Sequence, residues 1–312
     1  MNLSINPTYF CNFRCDFCYL TPEQLGDQKK IEPEKLDKLL SEVTSFEKID
    51  HVDLYGGEIG AIKRKYYEEI KDVIRKHYDG MININTNFSM LDDRFFADDI
   101  TLSVSYDFDA REKSDLVFQN MMMSPKPISV LVLASSKVIS LNVDEMIQRL
   151  NLINSIISVE IKPYSTNQAN TFEITHKDYE NFVIKWLESP IQKNFQFINY
   201  DNIVDSYNKD YNAWSDDHVY ITPNGKFGVL EFDENDNEYF LELPTYSSYQ
   251  QWAWREKRVQ SPICNSCTYF GHCLTEHYRY VKDLKNSCNG YRGLLDWYER
   301  LESKTENLSQ AQ

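Results

Sequence analysis

The sequence predicts an α/β protein: a parallel sheet with helices outside it, a partial barrel of six strand–helix units, then a small cysteine-rich domain with a β-hairpin and helices. Three observations carry this expectation. Short apolar runs alternate with amphipathic stretches from residue 1 to about 165, and parallel strands need helix-length crossovers between them. The seven cysteines stand as a group of three at 11–18 and a group of four at 264–288, with none between. "HVYITPNGKFGVLEF" (218–232) has the look of two strands around a "PNG" turn.

Taken in order, strands are expected at 2–6, 51–55, 81–86, 100–106, 128–134 and 158–164. Helices are expected between and after them at 33–43, 65–78, 143–154, 176–188 and 293–303. Pro33 suits a first helical position, where its missing N–H is no loss, and Asp144 suits the start of the helix it lies in. Six units are fewer than the eight of a closed barrel, hence the partial barrel. The core is expected to span 1–200 and the cysteine-rich domain 201–312. Residues 166–217 are assigned only as the join, 233–239 as a polar turn or loop, and the last nine residues as frayed.

The 312 residues carry 33 basic and 48 acidic side chains, a net charge of −15. Nucleic-acid binders neutralise phosphates with clustered Lys and Arg, so this balance argues against such a partner. No run approaches the about 20 apolar residues of a membrane span, and the start lacks the basic and apolar segments of a secretory signal. A cytoplasmic location is therefore expected, where disulfides are disfavoured. The two cysteine groups then point to two metal sites.

The first group, in "CNFRCDFCY" (11–19), has the spacing C-x3-C-x2-C and follows the first strand. Soft thiolates so close together share a metal or cluster, yet closed sites take four ligands. A missing fourth ligand makes sense if that position belongs to a substrate. A zinc site lacking one ligand, or buried structural thiols, are the alternatives. The pattern resembles the signature loop of the radical S-adenosylmethionine (SAM) superfamily. That resemblance implies a [4Fe–4S] cluster on Cys11, Cys15 and Cys18, its open iron completed by the amino and carboxylate groups of SAM. It further implies reductive cleavage of SAM to a 5′-deoxyadenosyl radical that takes hydrogen from a substrate, with a flavodoxin- or ferredoxin-type reductant. Phe17 stands where the family has an aromatic packed on adenine. Gly56, Gly57 and Glu58 in "YGGEIG" resemble the GGE motif, Glu58 accepting from the SAM ammonium. Thr86 and Asn87 in "NTNF" and Ser105 and Asp107 in "SVSYD" resemble further SAM-binding segments after the third and fourth strands. For these four the alternative is ordinary strand-end hydrogen bonding. Ser135 or Ser136 is a candidate for ribose or carboxylate contact. No catalytic side chain is assigned.

The second group, Cys264, Cys267, Cys273 and Cys288, gives C-x2-C-x5-C-x14-C. Four cysteines can close a tetrahedral site, either zinc or a second [4Fe–4S] cluster. The C-x2-C pair alone favours zinc. Behind a radical SAM core the set resembles the SPASM or twitch extension, which implies an auxiliary cluster. The pattern departs from SPASM in having His277 where a further cysteine is expected, and no cysteine at the hairpin for an inner cluster. His272 is a candidate hydrogen-bond donor to a cluster sulfide. Trp214, Trp252 and Trp254 are either core or part of a peptide groove.

Maturases of ribosomally made peptides often carry such extensions, so a precursor peptide is the expected substrate and an oxidative change such as a cross-link the expected outcome. The chain begins at the core, without room for a leader-binding domain, so a separate partner or the core itself is expected to recognise the peptide. The competing readings are a small-molecule radical dehydrogenase of antibiotic or sugar biosynthesis, a sulfatase-maturing type of enzyme, and a non-catalytic iron–sulfur or zinc scaffold.

Overall fold

A computed structural model describes residues 1–164, 174–210, 218–230, 240–256, 262–274, 288 and 290–310. The elements are β1 (Asn2–Ile5), α1 (Pro22–Gly26), α2 (Pro33–Thr44), β2 (His51–Leu54), α3 (Arg64–Arg75), β3 (Ile82–Thr86) and β4 (Ile100–Ser105). There follow α4 (Ser114–Met122), β5 (Ile128–Ala134), α5 (Ser136–Ile139), α6 (Val143–Asn151), β6 (Ile156–Pro163) and α7 (His176–Glu188). The remainder comprises β7 (Gln196–Phe197), α8 (Ile198–Tyr207), β8 (His218–Ile221), β9 (Phe227–Leu230), β10 (Phe240–Leu243), α9 (Tyr246–Glu256) and α10 (Arg292–Gln310). All six expected strands are present, with ends moved by at most two residues.

The strands form one sheet in the order β10-β9-β8-β1-β2-β3-β4-β5-β6-β7. Every pair from β8 across to β7 is parallel. The hairpin pairs β8–β9 and β9–β10 are antiparallel. The expected mostly parallel α/β architecture is therefore observed, and the hairpin adds to it through β8, which lies beside β1. The expected division at residue 200 falls inside α8.

One face of the sheet is apolar and lies under the helices. Leu3, Ile5, Val52, Leu54, Ile82, Ile84, Val130 and Val132 share a core with Leu36 and Leu40 of α2, Ile70 and Ile74 of α3, and Ile147 and Leu150 of α6. Those helices repeat their apolar residues at three- and four-residue steps, and each such side chain removed from water stabilises the fold by roughly 1.5–3 kcal/mol. The other face is polar. Ser4 and His218 are 3.0 Å apart, Asp53 lies 3.2 Å from His51, and Asn83 donates to Asp53 at 2.6 Å. Ser103 donates to Asn83 at 3.2 Å, and Ser158 to Ser129 at 2.8 Å. This two-sidedness explains why the strands alternate in polarity instead of reading as continuous apolar runs.

The helix starts stand where expected, with Pro33 the first residue of α2 and Asp144 in the first turn of α6. The cap of α6 is Asn142, whose side chain accepts from the N–H groups of Asp144 and Glu145, so Asp144 lies in the first turn. Thr175 and Asp178 form a reciprocal capping box at α7, satisfying two donors that a helix start leaves open.

Candidate active site

The loop carrying Cys11, Cys15 and Cys18 leaves the carboxyl end of β1, where parallel sheets place their ligands. Thr8 fixes its entry by donating to the Lys29 carbonyl at 2.7 Å and accepting from the Phe10 N–H at 3.1 Å. The Cys18 N–H donates to the Cys15 carbonyl at 3.1 Å, a tight turn that brings these two cysteines round together. Burial raises all three thiols, Cys18 to about 12. Thiols raised in this way release protons when they bind a metal.

"YGG" at the end of β2 is pressed against this loop. The Gly57 N–H donates to the Thr8 carbonyl at 3.0 Å and the Glu58 N–H to the Phe10 carbonyl at 2.8 Å. A Cβ on Gly57 would stand 2.0 Å from the Phe10 carbonyl oxygen, and one on Gly56 2.8 Å from Asn6 Oδ1. Gly56 also has φ +125°, a conformation that favours glycine. These glycines are there so that the two loops can touch.

Glu58 is buried, and its carboxylate is heavily engaged. Oε1 accepts from the Gly60 N–H at 2.8 Å and the Thr86 hydroxyl at 2.7 Å, and Oε2 from the Asn87 N–H at 2.7 Å. Burial raises its pKa and these bonds oppose the rise. Glu58 thus ties the turn after β2 to the end of β3, with only Oε2 keeping room for a further donor. Thr86 accepts from the Phe88 N–H at 2.9 Å. Asn87 Nδ2 donates to Asn12 Oδ1 at 2.8 Å and lies 3.8 Å from Cys11 Sγ.

Past β4 the picture is different again. Asp107 is buried; its Oδ1 accepts from the Leu133 N–H at 2.6 Å and its Oδ2 binds Arg111, at 2.8 Å from Nε and 2.5 Å from Nη2. Arg111 in turn lies over the Phe17 ring at 5.4 Å, with Nη1 3.9 Å from Cys15 Sγ. Ser105 ends β4, half-buried, and makes no hydrogen bond through its hydroxyl among the described residues. Ser135 caps α5, accepting from the Val138 N–H at 3.4 Å. The sequence pattern drew no attention to Arg111, and a positive residue four after a strand-end Asp is the signal that could have found it.

The residues present fit an open iron–sulfur group. Three thiols come from one short loop, with no fourth residue of that kind beside them in sequence. Both amide atoms of fully buried Asn6, at the base of the loop, lack a hydrogen-bond partner, an arrangement that usually answers to something bound. Among the described residues no three His, Cys, Asp or Glu side chains close around one ion. A cubane differs, since each thiolate takes a different iron.

All four cysteines of the second group lie within the described residues. The Cys267 N–H donates to the Cys264 carbonyl at 3.1 Å. Cys273 and Cys288 meet across Gly290, whose Cβ, if present, would lie 3.3 and 3.5 Å from their sulfurs. The His272 carbonyl accepts from Ser206 of α8, which fastens the segment to the core. His277, Trp214 and residues 233–239 lie outside the described residues. Trp252 is buried and Trp254 exposed.

Residues 5–102 match the Radical SAM superfamily. In sequence, no curated protein matches the chain. The fold is similar to native anSMEcpe with bound AdoMet, with a TM-score of 0.71 and 13% identity over 98% of this chain and 99% of that one. It is also similar to Streptococcus suis SuiB bound to precursor peptide SuiA, with a TM-score of 0.61 and 15% identity over 93% of this chain and 74% of that one. No helix among the described residues is long and apolar enough to cross a membrane.

Proposed function

We propose, for a chain whose residues 5–102 match the radical SAM superfamily and whose fold is shared with enzymes of that kind, that it oxidises a peptide by radical SAM chemistry. The observation that carries this reading is the three-cysteine loop at the end of β1, clamped by two hydrogen bonds to the Gly57–Glu58 turn. Cys11, Cys15 and Cys18 would hold a [4Fe–4S] cluster and, with SAM, supply a 5′-deoxyadenosyl radical for hydrogen abstraction. Phe17, Gly56, Gly57, Glu58, Thr86, Asn87, Ser105, Asp107 and Ser135 would line that position. Ser105 and Oε2 of Glu58 have hydrogen-bonding capacity to spare for SAM. Phe17, Thr86, Asn87, Asp107 and Ser135, all buried, would shape the walls and keep water from the reacting group.

Cys264, Cys267, Cys273 and Cys288 would hold an auxiliary cluster able to accept an electron. A peptide substrate is supported by the likeness to SuiB, whose structure contains a precursor peptide. It is supported also by the polar sheet face, which offers hydrogen bonds to a peptide backbone. The two cysteine groups use all seven thiols, and a metal-bound thiolate has no hydrogen to return to a substrate radical. Net oxidation is therefore favoured over epimerisation.

The test is anaerobic. Reconstituted, reduced protein should release 5′-deoxyadenosine from SAM, and Cys11→Ala, Cys15→Ala or Cys18→Ala should abolish it. A peptide product should weigh about two mass units less than its substrate, the loss of two hydrogens. No 5′-deoxyadenosine from iron-loaded protein would sink the radical SAM reading, and a product of unchanged mass the oxidative one.

A further inference from the structure

Arg111 is absent from every motif in the sequence, yet its guanidinium reaches a sulfur of the cysteine loop, whereas Arg14 of the loop itself donates to the Cys11 and Phe13 carbonyls. Its side chain is 12% exposed and that of Asp107 1% exposed, so their charges are poorly screened by solvent. The guanidinium lies between two partners. Nε and Nη2 hold the Asp107 carboxylate, while Nη1 is 3.9 Å from Cys15 Sγ. The cation is therefore the nearer charge to the sulfur and the carboxylate the farther. Phe17 covers one side of the guanidinium, and the Leu133 N–H fixes Asp107 from behind. Glu112 also lies near this loop, its Oε2 accepting from the Arg14 N–H at 2.6 Å.

We propose that the Asp107–Arg111 pair sets the reduction potential of the iron–sulfur group held by Cys11, Cys15 and Cys18, Arg111 raising it and Asp107 lowering it. The inference rests on the radical SAM reading. Reduction takes the group from [4Fe–4S]2+ to [4Fe–4S]+ with one electron from a low-potential donor of the flavodoxin, ferredoxin or dithionite class. That electron adds a negative charge beside Cys15. A buried cation at this distance favours the added charge, and a carboxylate behind it opposes it. Arg111 here acts through its field on the thiolate set and is a positioning residue.

The two residues make opposite predictions, which a merely structural pair does not. Full-length protein is reconstituted, assayed for iron, and titrated with dithionite under EPR, the relevant signal being the one that changes on adding SAM. Arg111→Gln should lower the reduced-to-oxidised ratio at a fixed potential about tenfold, ~59 mV for one electron. Arg111→Lys should recover most of that loss. Asp107→Asn, which keeps an oxygen for the Leu133 N–H, should raise the ratio. Potentials unmoved in Arg111→Gln and Asp107→Asn, or moved in the same direction, would overturn the proposal. If Arg111→Gln takes up no iron, Asp107→Asn decides: an unchanged or lowered ratio there overturns it. Wild-type protein that binds no iron overturns the radical SAM reading itself.

Discussion

At Gly57 the backbone of the "YGG" turn meets the backbone of residues 9 and 10, and both sides of the contact are main chain. Neither can swing away as a side chain would. Gly57→Ala is thus expected to cost at least the ~1–3 kcal/mol typical of overpacking, lowering both the melting temperature and iron uptake. Gly26 is the control, since a Cβ there meets nothing within 4 Å, and Gly26→Ala should change stability by about 0.5 kcal/mol or less. A Gly57→Ala protein that melts with the wild type would show that the two loops are not in contact. At this scale the sequence disclosed which residues gather but not what they do there. Gly56 and Gly57 were readable because close approach demands glycine. Glu58 was readable as an acceptor, but not the three protein donors that engage it and leave room only at Oε2. Arg111 was invisible because it lies outside the motifs, and only the short helical turn at Phe108–Ala110 returns it to Cys15.

Two short 3-10 segments, Ile59–Ala61 and Asp93–Phe96, are locked together by one arginine. Arg94 is buried, donates to the carbonyls of Gly60 at 2.9 Å and Ile62 at 3.0 Å, and pairs with both oxygens of Asp92. Its guanidinium and hydrogen bonds hold the Asp92 carboxyl down at about 2. A carboxyl depressed on folding contributes stability above its unfolded value of about 3.9, and that contribution is lost as pH falls toward 2. Asp92→Asn should therefore cost about 1–2 kcal/mol at neutral pH, after allowing for the partial exposure of Asp92. The gap from wild type should close as pH falls from 4 to 2. Denaturation of both proteins across that range is the measurement, and a constant gap would mean that the charge of Asp92 is not what holds Arg94. Element type was legible where an apolar period repeats clearly, as in α2, α3 and α7, but not in α4, α8 or α9, where no helix is expected from the sequence. It was not legible for α5, with four residues, or β7, with two, because such lengths show no period.

Across the whole molecule the two cysteine groups make a countable prediction. Three plus four thiolates should hold two cubanes, about eight irons per chain, against about four irons and one zinc if the second site is tetrahedral zinc. Elemental analysis separates these outcomes, and Cys264→Ala or Cys267→Ala should remove about four irons while leaving SAM cleavage in place. The sequence identified the hairpin but not its neighbour, since alternation marks a strand without naming what it pairs with. The structure seats β8 directly against β1, in register from Asn2 with His218 to Ile5 with Ile221. Ser4 and His218, 214 positions apart in the chain, are within hydrogen-bond distance. This pairing bears on the order of events during synthesis. Until β8 has left the ribosome, β1 is a bare edge, with one side of its backbone open to unwanted strand partners. Contacts so distant in sequence form late, and domains emerge from the amino terminus first. The cysteine loop hangs from the end of β1 and so spends most of translation on an unfinished support. The finished support for the cysteine loop is thus expected only once residues 218–221 have been made and paired with β1.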